Sequence, residues 1–511
     1  MQMAAGENLM WMPISGRFKN SDYLREKYFP FLFHSFTAMK NNLLTCIACL
    51  IITGGSSFAQ DNNNPFAQRR AAAMAKLGDA IMILSGGGDE EANRHESRPD
   101  NNFWYLTGCD VPDVIAVLDP KGKNKYLLFV PEQNVIAQIY SGKGPTKEEA
   151  KLQYGADTVI SWINFSRWIR NMAADKRSLF VNREIENITF YNRNKPEEEK
   201  IKVLNASTIL DEMRIIKDEQ EIEMMKKAAE ITGRSLVNAW KECKPGMFEY
   251  EMEALIEYGF RREGSPMPAY RSIVGSGANA TTLHYDKNNR QMQDGDLLLM
   301  DVGAEYGFYA SDVTRTIPVN GKFSKEQREI YELVLKAEEE GIKLISPGKG
   351  ALECHHLTVE IISDGLFKLG LMTDAKSLWQ RKVFNIYRVT HWLGLDVHDV
   401  GSYGPLSPDY RSYMFNPEVK GRPFMPGMVT TIEPGLYFRA DLLENLRLYA
   451  GKEVPQEELD AFVKKVAPVY ERYKNIGIRI EDDVLITPTG NLVLSANSPK
   501  RVEEIERIMK K

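Results

Sequence analysis

The most constraining stretch of the chain is a pair of apolar segments that each carry an aspartate. Asp296–Asp301 reads D-LLLM-D, a strand ending on an acid, and Gly307–Ile317 reads GFYASDVTRTI, also strand-like. Asp301 and Asp312 lie at equal distances from the Tyr306-Gly307 step. A hairpin turning there sets the two aspartates directly opposite each other. Opposed Cβ atoms lie roughly 4.5–5.5 Å apart, and two ionised carboxylates at that spacing repel by about 3 kcal/mol at an effective dielectric of roughly 20. Such a hairpin must therefore bring with it a shared proton, an arginine or a cation.

Two further acids sit in similar surroundings. Glu433 ends Met428-Val429-Thr430-Thr431-Ile432, and Glu481 ends Gly477-Ile478-Arg479-Ile480. Taken singly, each fits an outward-facing strand position. Four acids in apolar strands point instead to a metal site, because charged groups are rarely buried without partners. Of the seven histidines, His391 and His398 fall in HWLGLDVHDVG and His284 in TLHY. Four carboxylates balance two divalent cations, and oxygen-rich donors with one imidazole suit Mn²⁺ or a similar first-row ion. Two such ions about 3.5–4 Å apart hold a water between them, lower its pKa and polarise a carbonyl.

The rest of the chain sets the context. Its 511 residues are 43% hydrophobic and 26% charged with net charge −5, an ordinary globular composition. No Lys/Arg-rich block is present, so nucleic acid is not an expected partner. The one long apolar run follows Met39-Lys40 as LLTCIACLII and leads to Ser57-Phe58-Ala59. A basic start, a short apolar core and small residues before a cleavage point describe a secretory signal. The core is too short for a bilayer, which needs about 20 residues. The expected start is Met39, with cleavage after Ala59, a secreted or periplasmic location and no membrane span in the mature chain. Cys46 and Cys49 lack a lipobox. Cys109, Cys243 and Cys354 are too widely spaced for a disulfide framework or zinc finger.

Three regions are expected: an N-terminal extension with signal (1–59), an α/β domain (60–212) and a larger catalytic domain (213–511). In the second, strands are expected at Ala80–Leu84, Phe103–Leu106, Val114–Leu118, Tyr126–Val130 and Leu179–Val181, and helices at Arg69–Leu77 and Pro145–Gln153. Asp218 and Glu221 read as a capping box that opens a helix with Ile222, Met225, Ala229 and Thr232 on one face. Long helices are expected at Lys325–Leu344 and Leu352–Leu369. Arg439–Lys474, charged and helix-like, reads as an insertion between two acid-bearing strands.

The segments DVGAEYGFYASDVTRT, HWLGLDVHDVG, TIEPGLY and GIRIEDD, in that order, resemble the pita-bread metallopeptidases, which include methionine aminopeptidase, aminopeptidase P and prolidase. They are most similar to aminopeptidase P. FWYLTG at Phe103–Gly108 resembles that family's N-terminal domain, and the likeness spans nearly the whole mature chain. The resemblance implies an α+β fold, with a pita-bread C-terminal catalytic domain behind a smaller α/β domain. It implies two divalent ions. Asp301 would chelate one with both oxygens, Asp312 and Glu481 would bridge the pair, and His391 and Glu433 would complete the other shell. Glu433 would also act as general base and then proton donor. His398 and His284 would hold the substrate carbonyl, and Arg479 and Tyr437 would brace the aspartate. The implied substrate is a peptide with proline second, which loses its first residue, and a homo-oligomer is expected.

Two features depart from the family pattern. A further histidine usually precedes the ligand histidine in a His-Gly-x-x-His arrangement. Here that position is Tyr387, within Tyr387-Arg388-Val389-Thr390-His391. Tyrosine, with an ordinary pKa near 10, is a poor substitute for imidazole. The second departure, the 439–474 insertion, follows a motif that carries an extra segment in prolidase as well, which leaves an Xaa-Pro dipeptidase as the alternative. A non-catalytic pita-bread binding protein is disfavoured because all five ligands are present.

Overall fold

The computed structural model describes residues 64–510 apart from 88–97, 112, 133–134, 136–137, 140–141, 143 and 405–412. The signal-like run and the expected cleavage point lie outside the described residues. Among the described residues no helix is long and apolar enough to cross a membrane, and Cys109, Cys243 and Cys354 are buried.

The first region is built on a six-stranded mixed sheet. Its strands are β1 (Ile81–Ser85), β2 (Ile115–Leu118), β3 (Tyr126–Val130), β4 (Thr158–Ser161), β5 (Leu179–Val181) and β6 (Val203–Asn205), in the order β4-β3-β2-β1-β5-β6. The β1–β2 and β2–β3 pairs are antiparallel, and the remaining three are parallel. Helices Pro65–Leu77 and Lys147–Tyr154 occur where expected. Phe103–Leu106 does not form a strand. It lies inside a helix, Asn101–Thr107, whose first turn is capped by the Asp100 carboxylate accepting from Phe103 N–H and whose end is closed by Gly108 at φ 63°. Five consecutive residues of that helix are buried, so the run shows no helical period. Asp100 and Gly108 are the punctuation that decides the conformation.

The second region begins with helix Glu219–Glu242. The Asp218 carboxylate accepts from Gln220 and Glu221 N–H, and Glu221 accepts from Asp218 N–H, which completes the capping box. Antiparallel β7 (Ile273–Ser276), β8 (Leu297–Val302) and β11 (Val313–Pro318) form one sheet, ordered β11-β8-β7. The short pair β9 (Glu305–Tyr306) and β10 (Tyr309–Ala310) tips the β8–β11 hairpin. β12 (Val429–Ile432), β15 (Asp482–Thr487) and β16 (Gly490–Val493) make a second antiparallel sheet, and β13 (Gly435–Tyr437) pairs with β14 (Gly477–Arg479). Helix Lys325–Leu344 packs on these strands, and helix Glu353–Lys368 packs against it. Residues 439–474 form helices Leu446–Ala450 and Gln456–Tyr470, and their Leu446, Phe462, Val466 and Tyr470 join the main core.

The hairpin register differs from expectation. Asp301 pairs with Thr314, and Tyr306 with Tyr309. The turn is therefore Gly307-Phe308, one residue later than Tyr306-Gly307. Both turn residues have positive φ, 57° and 71°, as a two-residue type I′ hairpin requires. Asp312 is thus diagonal to Asp301 on the same face rather than opposite it.

The two regions meet beside the second sheet. Trp104 packs against Phe308, the rings tilted by 30° with centroids 4.6 Å apart. Arg214 donates to Asp396 and Asp399, both at 2.6 Å, and Lys217 donates to Asp399 at 3.0 Å. Asp399 is buried, which alone would raise its pKa, but Lys217 and Arg214 outweigh that and hold the carboxyl below the usual range. The 391–399 loop is thereby tied to the segment that links the two regions.

Candidate metal centre

The β8–β11 hairpin supplies Asp301 and Asp312, the 389–391 segment supplies His391, and the ends of β12 and β14 deliver Glu433 and Glu481. The strand ends and the loop turn all of these side chains into one space. A cavity of about 380 Å³ is lined by these five together with His284, His398, Tyr387, Arg388 and Arg479. Ligand atoms of Asp312, His391 and Glu481 lie within 4.8 Å of one another. His391 Nε2 is 3.4 Å from Asp312, 3.5 Å from Glu433 and 4.0 Å from Glu481. Its Nδ1 lies 3.1 Å from the Trp392 carbonyl, a contact that aims Nε2 at the acids.

Asp301 is held from two sides. Arg479 Nη2 pairs with one oxygen, and the Tyr270 hydroxyl, 2.5 Å from the other, also lies 2.6 Å from Asp312. Arg479 is fully engaged: its Nη1 donates to Tyr437 at 2.7 Å and its Nε to Thr314 at 3.1 Å. Thr314 in turn donates to Glu481 at 2.5 Å. The Asp483 carboxylate, buried beneath, accepts Asp312 N–H at 3.2 Å. Tyr437 and Arg479 thus lie where the sequence expected bracing groups. Tyr270, Thr314 and Asp483 were not foreseen. Thr314 follows Asp312 by one strand period, a signal that could have been read, whereas Tyr270 sits in a loop with no pattern around it.

Electrostatics mark the site as short of positive charge. Four carboxylates share one paired guanidinium, that of Arg479. Burial, then Asp301, pushes Asp312 well above the usual carboxylate range. Burial, then Asp312 and Glu433, does the same to Glu481. Glu433 is pushed up to about 7 by burial, with Asp312 and Asp301 adding to the rise while His391 and Arg479 oppose it. Buried, oxygen-rich and lacking counter-charge, this donor set fits divalent ions. His398 stacks edge-on to His391 at 4.4 Å. Burial, then His391 and His284, lowers it to about 4, so at neutral pH it is an uncharged N–H donor. The Tyr387 hydroxyl donates to the Glu433 carbonyl at 2.7 Å and meets the Tyr437 hydroxyl at 3.1 Å. A larger recess of about 760 Å³ beside Asn320–Lys322 and the C-terminal helix gathers no such cluster.

Comparison with known proteins decides the family. Residues 223–488 match the model of metallopeptidase family M24, and residues 66–181 match the aminopeptidase P N-terminal domain. The chain belongs to metallopeptidase family M24. It is 34% identical to a protein named Xaa-Pro aminopeptidase from Escherichia coli K12, over 87% of this chain and 97% of that one. It is 30% identical to human Xaa-Pro aminopeptidase 3, over 86% of this chain and 83% of the relative. Among solved structures, Pseudomonas aeruginosa aminopeptidase PepP aligns with TM-score 0.73 and 34% identity, covering 87% of this chain and 97% of that one. The architecture is the two-domain one of those structures, an α+β chain with a pita-bread C-terminal domain. Membership of this family implies divalent metal ions.

Proposed function

We propose that this protein is a metallo-aminopeptidase that removes the first residue from peptides with proline in second position. The carrying observation is the convergence of Asp301, Asp312, His391, Glu433 and Glu481 in one buried, charge-deficient cavity. Relatives named Xaa-Pro aminopeptidase, aligned over most of both chains, support the specificity. The five residues would hold two divalent ions, which we take to be Mn²⁺ because carboxylates dominate the donors. Such ions supply Lewis-acid polarisation of the scissile carbonyl and acidify the attacking water.

The chain's own residues do the rest. Glu433 takes a proton from water as the water oxygen bonds to the carbonyl carbon, then gives it to the proline nitrogen as the C–N bond breaks. His398 and His284, on the cavity wall, donate to the carbonyl oxygen as negative charge grows on it. Arg479, fixed by Asp301, Tyr437 and Thr314, holds the aspartate in place. Secretion directed by residues 39–59, a domain boundary at 212/213 and a homo-oligomeric state complete the proposal.

The test is to load the purified protein with Mn²⁺ and supply Xaa-Pro peptides of two, three and five residues. Release of the first residue from the longer peptides is the expected result. Cleavage confined to dipeptides would replace this reading with a dipeptidase.

A further inference from the structure

The cavity contains two arginines, and they are used differently. Arg479 donates to Asp301, Tyr437 and Thr314. Among the described residues Arg388 donates only its Nε, to the Thr390 carbonyl at 2.7 Å. No carboxylate among the described residues pairs with it. A guanidinium carries five N–H donors; Arg388 lines the cavity, and its two terminal nitrogens have no hydrogen-bond partner among the described residues.

The group is nonetheless fixed in place. Its guanidinium lies 3.6 Å above the centre of the Tyr403 ring. Tyr403 stacks on Trp392 at 5.0 Å, and its hydroxyl accepts Trp392 N–H at 2.7 Å. Trp392 is buried, and its neighbour is His391. The arginine fork thus rests on an aromatic platform anchored next to a metal ligand, with its Nε tied down. A planar cation held this way is pre-organised for bidentate binding of a carboxylate, with little rotamer freedom left to lose. It also occupies the glycine position of the His-Gly-x-x-His pattern, so it adds charge where that pattern has no side chain.

We infer that Arg388 is a specificity-determining residue that recognises a carboxylate on the substrate, so that the site favours peptides carrying an anionic group downstream of the scissile bond. This deepens the aminopeptidase reading and rests on it. A peptide can offer that carboxylate from its own C-terminus, when short, or from an Asp or Glu side chain after the proline.

Two matched pairs of peptides separate the sources, assayed on the Mn²⁺-loaded full chain. One pair is Xaa-Pro-Ala as the free acid and as the C-terminal amide. The other is a C-terminally amidated pentapeptide with Glu or Gln at position three. The expected result is a kcat/KM ratio of about tenfold to a hundredfold in favour of the anion in one of the pairs, carried mainly by KM. Arg388→Gln brings that ratio close to one, and Arg388→Lys keeps part of it. Because each ratio is taken within one protein preparation, a merely structural loss would lower both members of a pair and leave the ratio intact. A wild-type ratio near one in both pairs, or a ratio that survives Arg388→Gln, overturns the assignment. Failure of the wild type to cleave any of the four peptides overturns the aminopeptidase reading itself, and this inference with it.

Discussion

Glu481 and Asp482 are neighbours in the chain, both fully buried, and they meet opposite fates. Glu481 faces the cavity among three other carboxylates and is pushed above the usual range by burial and by those neighbours. Asp482 faces the other way. Burial would raise it too, but Arg315 and Lys500 hold it below that range. Arg315 Nη2 donates to Asp482 at 2.7 Å, and Lys500 Nζ at 2.5 Å reaches its other oxygen. On that rear face the acids Asp482 and Glu338 meet two cations. On the cavity face one arginine, Arg479, is the only one paired with any of the four acids among the described residues. Each of the two rear acids has a cationic partner, and the front cluster is built for charge supplied from outside.

The contrast is most sharply tested at the cavity. Replacing Glu433 with Gln is expected to lower kcat by about a hundredfold to ten-thousandfold, with metal content by elemental analysis largely retained. A fully active variant would remove Glu433 from the proton transfer. Next, Arg315→Met breaks the rear cluster and strands Asp482 without its main partner. The expected loss is about 3–5 kcal/mol in urea unfolding, in metal-loaded and metal-free protein alike; a loss confined to the metal-free form would show that the two faces are not independent.

Metal removal should expose a pH dependence at Glu433 opposite in sign to that of the carboxyls held low. A carboxyl raised to about 7, as Glu433 is, binds more protons when folded than when unfolded. The metal-free protein should therefore lose stability as pH rises from the ordinary carboxylate range through 7, on the order of 2 kcal/mol. Carboxyls held low, such as Asp482 and Asp399, contribute stability at neutral pH that disappears only on acidification through their lowered pKa values. Denaturation midpoints of chelator-treated protein at pH 5 and 8 check this, and greater stability at pH 8 would contradict it. The smallest effect belongs to Tyr387. Tyr387→Phe removes the hydroxyl that donates to the Glu433 carbonyl and should cost about 1 kcal/mol, read as a small shift in the melting temperature. Tyr387→His should raise kcat/KM on Xaa-Pro peptides if an imidazole serves better there, and an unchanged value would make the substitution neutral.

What could be read from sequence follows from how local each signal is. The helices at 219–242 and 325–344 carry capping boxes and long amphipathic faces, so both were legible. Acids ending apolar strands were legible as well, because burying a charge demands an explanation wherever it occurs. The hairpin register was not, since it depends on which two residues take positive φ, and Phe308 is an unexpected choice for that. Helix 101–107 was hidden because both of its faces are covered, one by its own sheet and one by Phe308 and Tyr309. Tyr270 and Asp483 act on Asp312 across folded space, and nothing near them in the chain points that way. Glu481, Asp482 and Asp483 read as one acidic run, and only strand alternation sends them to different partners.

Residues 439–474 bear on how the site assembles in time. They leave β13 and return to β14 as a packed helical cap rather than a slack loop, with Trp379 donating to Glu458 at 2.6 Å to pin it. Collapse of that cap brings β13 and β14 together as though they were neighbours in the chain, which lowers the loop-closure entropy of pairing them. Glu433 and Glu481 then flank one pair of strands closed by that cap. The hairpin bearing Asp301 and Asp312 must reach them from a separate part of the sequence, a slower, non-local step. The ion-binding geometry therefore exists only where the hairpin and the β13–β14 pair are docked on each other.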